Sequence, residues 1–389
     1  MRIGIVLAKP PSYSETFFNT KIEGLLENRH DVTLYVQDFS GGFESCKVVS
    51  APKVSKNKFL QVTKMGFVFF GLLFKFKQLR KFIALEKVIG RSTKEILRNV
   101  FINSHVLKAN LDWIHFGFAT LAINSENVAE SIGAKMAVSC RGYDMDVYPL
   151  KHNDSYDLTW NKVDKVHAIS EYMLNKAYEN GLSKSIPTTI IYPAVDSNLF
   201  QNVNTNKTQN KTIIKITTIA RLHWIKGLDY TLKALNILKS KGITFHYQII
   251  GDGPEYESLC YAVDELGLND YVEFLGKLPH QETINLLEET DIYLQYSHSE
   301  GFCNAAIEAQ AMGCLCIVSD GGALPENILD KETGFTVPKR NPKMLAETIF
   351  SVLQLDDLVL FEIKKQAKKR VLNQFKIEDQ QIAFINFYE

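Results

Sequence analysis

The sequence has no CxxC pair, no GxGxxG turn after its first apolar run, no GxSxG, HExxH or P-loop signature, and no surplus of charge of either sign. Each absence closes a class. The six cysteines (46, 140, 260, 303, 314 and 316) are scattered through apolar segments, which argues against a zinc site or disulfide framework and fits reduced cytosolic thiols. Without the glycine fingerprint, a dinucleotide-binding dehydrogenase loses its main support. The balance of 44 basic against 44 acidic residues argues against a surface that coats nucleic acid. The opening MRIGIVLAKPP is too brief for a signal h-region and reads as a first strand.

What is present points to an α/β chain. With 389 residues, 46% of them apolar, two domains of ordinary size are expected. Short runs that are apolar throughout recur, each followed by helical periodicity: 2–8, 31–36, 112–118, 134–142, 165–170 and 188–195, then 214–221, 245–253, 272–278, 292–297, 314–320 and 334–338. Such runs suit strands covered on both faces, hence parallel sheets. The polar stretch 201–211 between the two series reads as a linker. Two Rossmann-like, doubly wound domains follow, 1–200 and 212–373, with ligand expected at the carboxyl ends of the strands and the cleft between them as the default site. The aromatic-rich segment 374–389 is too small for a domain and is expected to pack back on the first.

Three segments after strands carry chemistry. In RLHWIKG, Arg221 and Lys226 would converge above a sheet edge and suit a diphosphate, each charge-assisted contact contributing about 1.5–3 kcal/mol. Two solvated loop charges are the plainer reading. GDGP offers Gly251 and Gly253 for a tight turn with close ligand approach, a weak signal alone. HSEGFCNAAIEAQ places Glu300 on a loop and Glu308 a turn into a helix whose first N–H groups favour an anion. A carboxylate at the depth of Glu308 can accept from the vicinal hydroxyls of a ribose, and Glu300 can meet the hydroxyls of a sugar beyond the phosphates. Simple complementation of the helix dipole is the competing reading.

The series RLxxxKG, GDGP, Glu300 with Glu308, AMG, P-E and GF, running from Arg221 to Pro338, resembles the retaining GT-B-fold glycosyltransferases of family 4. The N-terminal half fits more loosely, through HAISEYMLNKAYENG and IIYPAVDSNLF. The resemblance implies that Arg221 and Lys226 bind the donor diphosphate, Glu308 the ribose, and Glu300 the transferred sugar, with the backbone N–H groups of Gly301, Phe302 and Cys303 joining the phosphate site. It implies transfer with retention through an oxocarbenium-like transition state, with no metal and no other cofactor. The donor it implies is a UDP- or GDP-type sugar.

The chain departs from the family in two places. Its first loop reads KPPSYSETFF where a glycine pair is usual, so Ser14 and Thr16 would supply the loop contact. Arg141 stands in RGYD where a histidine is common, and could meet a phosphate or leaving oxygen. Asp144 and Asp146 spell DxD, the spacing of metal-dependent GT-A enzymes, but in the half away from the donor motifs. Asp144 is therefore read as a loop residue or as part of the acceptor site.

Charge is unevenly spread. Between 53 and 108 stand thirteen lysines and arginines against Glu86 and Glu95, interleaved with the apolar MGFVFFGLLFKF of 65–76. That segment is too short to span a bilayer but suits lying in an anionic interface. A buried helix with solvated lysines is the alternative. The docking reading implies a cytoplasmic protein, peripheral at the inner membrane face, acting on a glycan or polyprenyl-diphosphate-linked acceptor of bacterial-type surface polysaccharide. A non-catalytic nucleotide-sugar or glycan-binding protein of the same fold is the second reading.

Overall fold

The computed structural model describes residues 1–11, 16–39, 41–196, 200 and 213–389, with the backbone alone at Thr16. Ser14 and the expected linker 201–211 lie outside the described residues. The chain divides into two compact units, Met1–Ile191 with Glu378–Glu389, and Tyr192–Ile377.

Among the described residues the first unit holds seven strands: β1 Arg2–Leu7, β2 Asp31–Val36, β3 Lys47–Ser50, β4 Trp113–Phe116, β5 Lys135–Cys140, β6 Lys165–Ala168 and β7 Thr188–Ile190. All pair parallel, in the order β3-β2-β1-β4-β5-β6-β7. Strand β3 has no counterpart among the apolar runs. Its KVVS is a half-exposed edge pairing only with β2, so burial places little demand on it. The run expected over 188–195 ends as strand at Ile190, shortly before Pro193, which has no N–H to give a ladder.

A chain of buried polar groups runs through this unit. His167 Nε2 lies 3.1 Å from the Ile191 carbonyl, which can only accept, so Nδ1 accepts from Ser139 Oγ at 2.8 Å. Ser139 in turn accepts from His115 Nε2 at 2.8 Å. His115 Nδ1 is then the acceptor for Lys21 Nζ at 2.9 Å and for the Tyr388 hydroxyl at 2.6 Å. Burial first, and the neighbouring cations second, push both imidazoles well below the usual range, in keeping with two neutral rings.

Around the apolar segment 65–76 the helical run is longer than that segment. Asn57 caps helix Lys58–Leu72, whose Phe59 and Leu60 amides donate to its side chain, and a short turn at Leu73–Lys75 leads into helix Phe76–Val88. By length and composition alone Lys58–Val88 is the one run among the described residues long and apolar enough to cross a membrane, and the turn at Leu73–Lys75 interrupts it.

The second unit holds β8 Ile214–Ile219, β9 Phe245–Ile250, β10 Val272–Gly276, β11 Ile292–Gln295, β12 Leu315–Ser319 and β13 Phe335–Val337, one for each expected run. They pair parallel in the order β10-β9-β8-β11-β12-β13. Leu232, Leu235 and Leu238 form one face of helix Leu228–Ser240 and are fully buried in a core with Ile249, Leu294 and Ile317. Each such side chain contributes about 2 kcal/mol. Strand order reverses between β8 and β11, so the loops leaving these neighbours diverge and open a crevice at their carboxyl ends.

Candidate active site

At that reversal point the loop after β8 carries Arg221 and Lys226, and the loop after β11 carries Glu300. Lys226 Nζ donates to Glu300 Oε1 at 2.6 Å. The same oxygen accepts from Ser297 Oγ at 2.7 Å and Gln295 Nε2 at 3.1 Å, while Gln295 Oε1 accepts from the Tyr293 hydroxyl at 2.7 Å. Oε2 has no partner among the described residues. Gln295 and Ser297 are fully buried and Glu300 nearly so. Burial pulls the Lys226 ammonium down, but Glu300 and then Cys303 outweigh it, and its pKa is raised. Arg221 is exposed on the same loop, five residues before Lys226.

Helix Asn304–Ala311 begins just beyond, its first turn fixed by a residue the sequence reading lacks. Asn327 Oδ1 accepts from the Cys303 N–H at 3.1 Å, and Asn327 Nδ2 donates to the Cys303 carbonyl at 3.3 Å. Arg370 holds Asn327 in place by donating to its carbonyl at 2.7 Å and to that of Glu326 at 2.6 Å. The Cys303 amide is therefore engaged by a side chain of the fold itself. Burial raises its thiol to about 12. Gly301 lies in the same buried turn, and Phe302 packs its ring against Tyr192 and Phe375 at 5.4 and 5.5 Å, an anchor for the loop. Glu308 Oε1 meets His280 Nε2 at 3.2 Å, and this bond, against burial, raises the imidazole pKa.

Close backbone approach explains the glycines. A Cβ on Gly251 or Gly253 would collide with the carbonyls of Ala220 and Leu222, so GDGP serves first to let the loop after β9 lie against the Arg221 loop. Gly322, at φ +69°, would likewise strike the Glu300 backbone, whose carbonyl accepts from Ala323 N at 2.8 Å.

The remaining expected residues belong to the first unit. Thr16 starts helix Thr16–Glu27. The Arg141 guanidinium lies over Phe17 at 4.2 Å and Phe18 at 4.4 Å. Asp144 is buried, with Oδ2 accepting from Ala119 N at 3.1 Å and Oδ1 from Thr120 Oγ1 at 2.9 Å. Burial raises it to about 6 even so. Its carboxylate pins a turn. Asp146 accepts from the Tyr172 hydroxyl at 3.0 Å, so the two acids of DxD serve different partners.

Residues 200–370, which include Arg221, Lys226, Glu300, Glu308, Asn327 and Arg370, match the family described as glycosyl transferases group 1. That match covers less than half of the chain. WcaL of Escherichia coli (strain K12), named for glycosyl transfer in colanic acid biosynthesis, is 31% identical over 170 residues, 42% of each chain. The match thus spans about two fifths of that relative's length. AmsK of Erwinia amylovora, an amylovoran biosynthesis glycosyltransferase, is 26% identical over 279 residues, 69% of this chain and 68% of its own. The solved structure of HepE from Anabaena in complex with UDP and glucose aligns with a TM-score of 0.72 at 15% identity over 99% of this chain and 98% of that one. The fold is the GT-B fold, as the motif series implies.

Proposed function

We propose that the chain is a retaining glycosyltransferase that moves a sugar from a UDP- or GDP-type donor to a lipid-linked glycan during surface polysaccharide synthesis, without a metal. The observation that carries this is the meeting of Lys226 and Glu300, with Arg221 beside them, at the reversal point of the second sheet. AmsK, named for amylovoran, and HepE, solved with UDP and glucose, support the same reading. Arg221 and Lys226 hold the diphosphate, Glu308 takes the ribose hydroxyls, and Glu300 Oε2 takes a hydroxyl of the transferred sugar. The bond from the anomeric carbon to the phosphate oxygen breaks as the acceptor oxygen attacks the same face, and the acceptor's proton passes to the departing phosphate. The protein's part is electrostatic stabilisation of that leaving group.

Thermal shift against a panel of sugar nucleotides identifies the donor, since a bound donor raises apparent stability by mass action. Transfer to a polyprenyl-diphosphate-linked glycan is then expected with the donor's anomeric configuration kept and no effect of EDTA. Inversion, or loss of transfer on EDTA addition, overturns the mechanism. A thermal shift with no product with any acceptor supports the non-catalytic binder instead.

A further inference from the structure

Helix Lys58–Leu72 turns an apolar aromatic face to solvent. Phe59, Phe67, Phe70 and Phe74 are 80, 80, 67 and 84% exposed, with Val62 and Leu73 among them. At helical spacing, residues 59, 62, 66, 70, 73 and 74 fall on one side, while Leu72 is buried and Val68 lines a cavity of about 640 Å³ with His105 and Lys108. A patch of this size left in water carries a standing cost and marks an interaction surface.

Charge decides which partner fits. The two acids within 53–108 are both committed elsewhere. Glu86 is fully buried, its carboxylate taking Arg91 at 2.7 Å and Asn99 and Asn127 at 2.8 Å. Glu95 closes a capping box with Ser92. Among the cations, Lys53 pairs with Asp38 and Lys81 with Glu130, but Lys56, Lys58 and Lys77 are exposed at the ends of the aromatic face with no ion pair among the described residues. Aromatics flanked by unbalanced lysines match an anionic bilayer interface.

Crossing is disfavoured by the second half of the run. Helix Phe76–Val88 buries Leu79, Phe82 and Glu86 in its own unit, so it cannot leave for lipid without exposing a carboxylate network. The uncharged stretch Met65–Phe74 is about 15 Å long as a helix, half of the roughly 30 Å hydrocarbon core.

We propose that helix Lys58–Leu72 and the turn through Phe74 lie in the plane of an anionic bilayer, the phenylalanines in the acyl boundary and the lysines at the headgroups. This gives physical form to the membrane-held acceptor of the proposed function and can be tested without donor or acceptor. The full chain is sedimented at low salt with phosphatidylglycerol-containing vesicles and with phosphatidylcholine vesicles alone. Pelleting with the first and not the second is expected, along with about a tenfold loss of bound fraction in Phe67→Ser/Phe70→Ser/Phe74→Ser and separately in Lys56→Glu/Lys58→Glu/Lys77→Glu. The substituted side chains are exposed, and an unchanged Tm shows that only binding has altered. Failure of the parent chain to pellet, or undiminished binding by both variants, overturns the proposal. Resistance of the bound chain to alkaline carbonate overturns the in-plane geometry. Vesicle binding that persists in a chain with no transferase activity would refute the proposed function and leave this inference standing.

Discussion

Lys226 and Glu300, 74 residues apart in sequence, share a 2.6 Å ion pair at the reversal point of the second sheet. The lysine arrives from the loop after β8, the glutamate from the loop after β11, and Ser297 and Gln295 hold the carboxylate from below. The pair ties the residue proposed for the diphosphate to the residue proposed for the sugar.

Removing one partner therefore acts twice. Lys226→Ala leaves Glu300 buried with only neutral donors, and a loss of about 2–3 kcal/mol is expected in chemical denaturation. Glu300→Gln removes the charge and keeps the shape, so its cost should be smaller. The double variant should lose less than the sum of the two, because the stranded charge is gone. Transfer is expected to fall more than a hundredfold in each single variant while both remain folded. Strictly additive stabilities would mean that the pair does not act as a unit.

The contact between His280 and Glu308 makes a pH dependence. Donation from the imidazole to Glu308 raises the imidazole's pKa, with burial opposing, so the folded chain binds this proton more tightly than the unfolded chain does. The resulting stability is fully present below the ordinary histidine value and is lost as pH rises through the raised one. The Tm difference between the parent chain and Glu308→Gln should thus be largest near pH ~6 and shrink above pH ~8. Titration of the His280 ring by NMR should show the raised value falling in that variant. A Tm difference that is flat with pH would rule the account out.

Strands of the second unit were legible because a parallel strand covered on both faces must be apolar along its whole length, and each such run became a strand. Arg221, Lys226 and Glu300 were legible as charges placed just after those runs. The support beneath them also left a trace. Tyr293, Gln295 and Ser297 alternate through an otherwise apolar run, and polar side chains at period two in a buried strand need partners on one face. Asn327 left none, since its hold on Cys303 joins loops 24 residues apart and depends on the packing of both. The partners of Asp144 left no trace either, because Ala119 and Thr120, whose turn it holds, stand some 24 residues upstream.

The carboxyl-terminal helix Ile377–Tyr388 gives a prediction for the first unit. Phe384, Phe387 and Tyr388 are buried there, Trp113 Nε1 donates to the Tyr388 carbonyl at 3.1 Å, and Lys165 Nζ to that of Phe387 at 2.6 Å. Phe384 also lies 4.5 Å beneath the buried Lys21 ammonium, whose pKa desolvation drives well below the ordinary value. Phe384→Ala should cost about 3–5 kcal/mol through the cavity it opens. Tyr388→Phe should cost about 1–2 kcal/mol, because His115 Nδ1 loses one of its two donors while the ring still packs. The two should separate in urea unfolding, the first large and the second small. A Tyr388→Phe variant as unstable as Phe384→Ala would mean that the hydroxyl matters more than the packing, and that the polar chain from Lys21 to Ile191 carries the docking of the last helix.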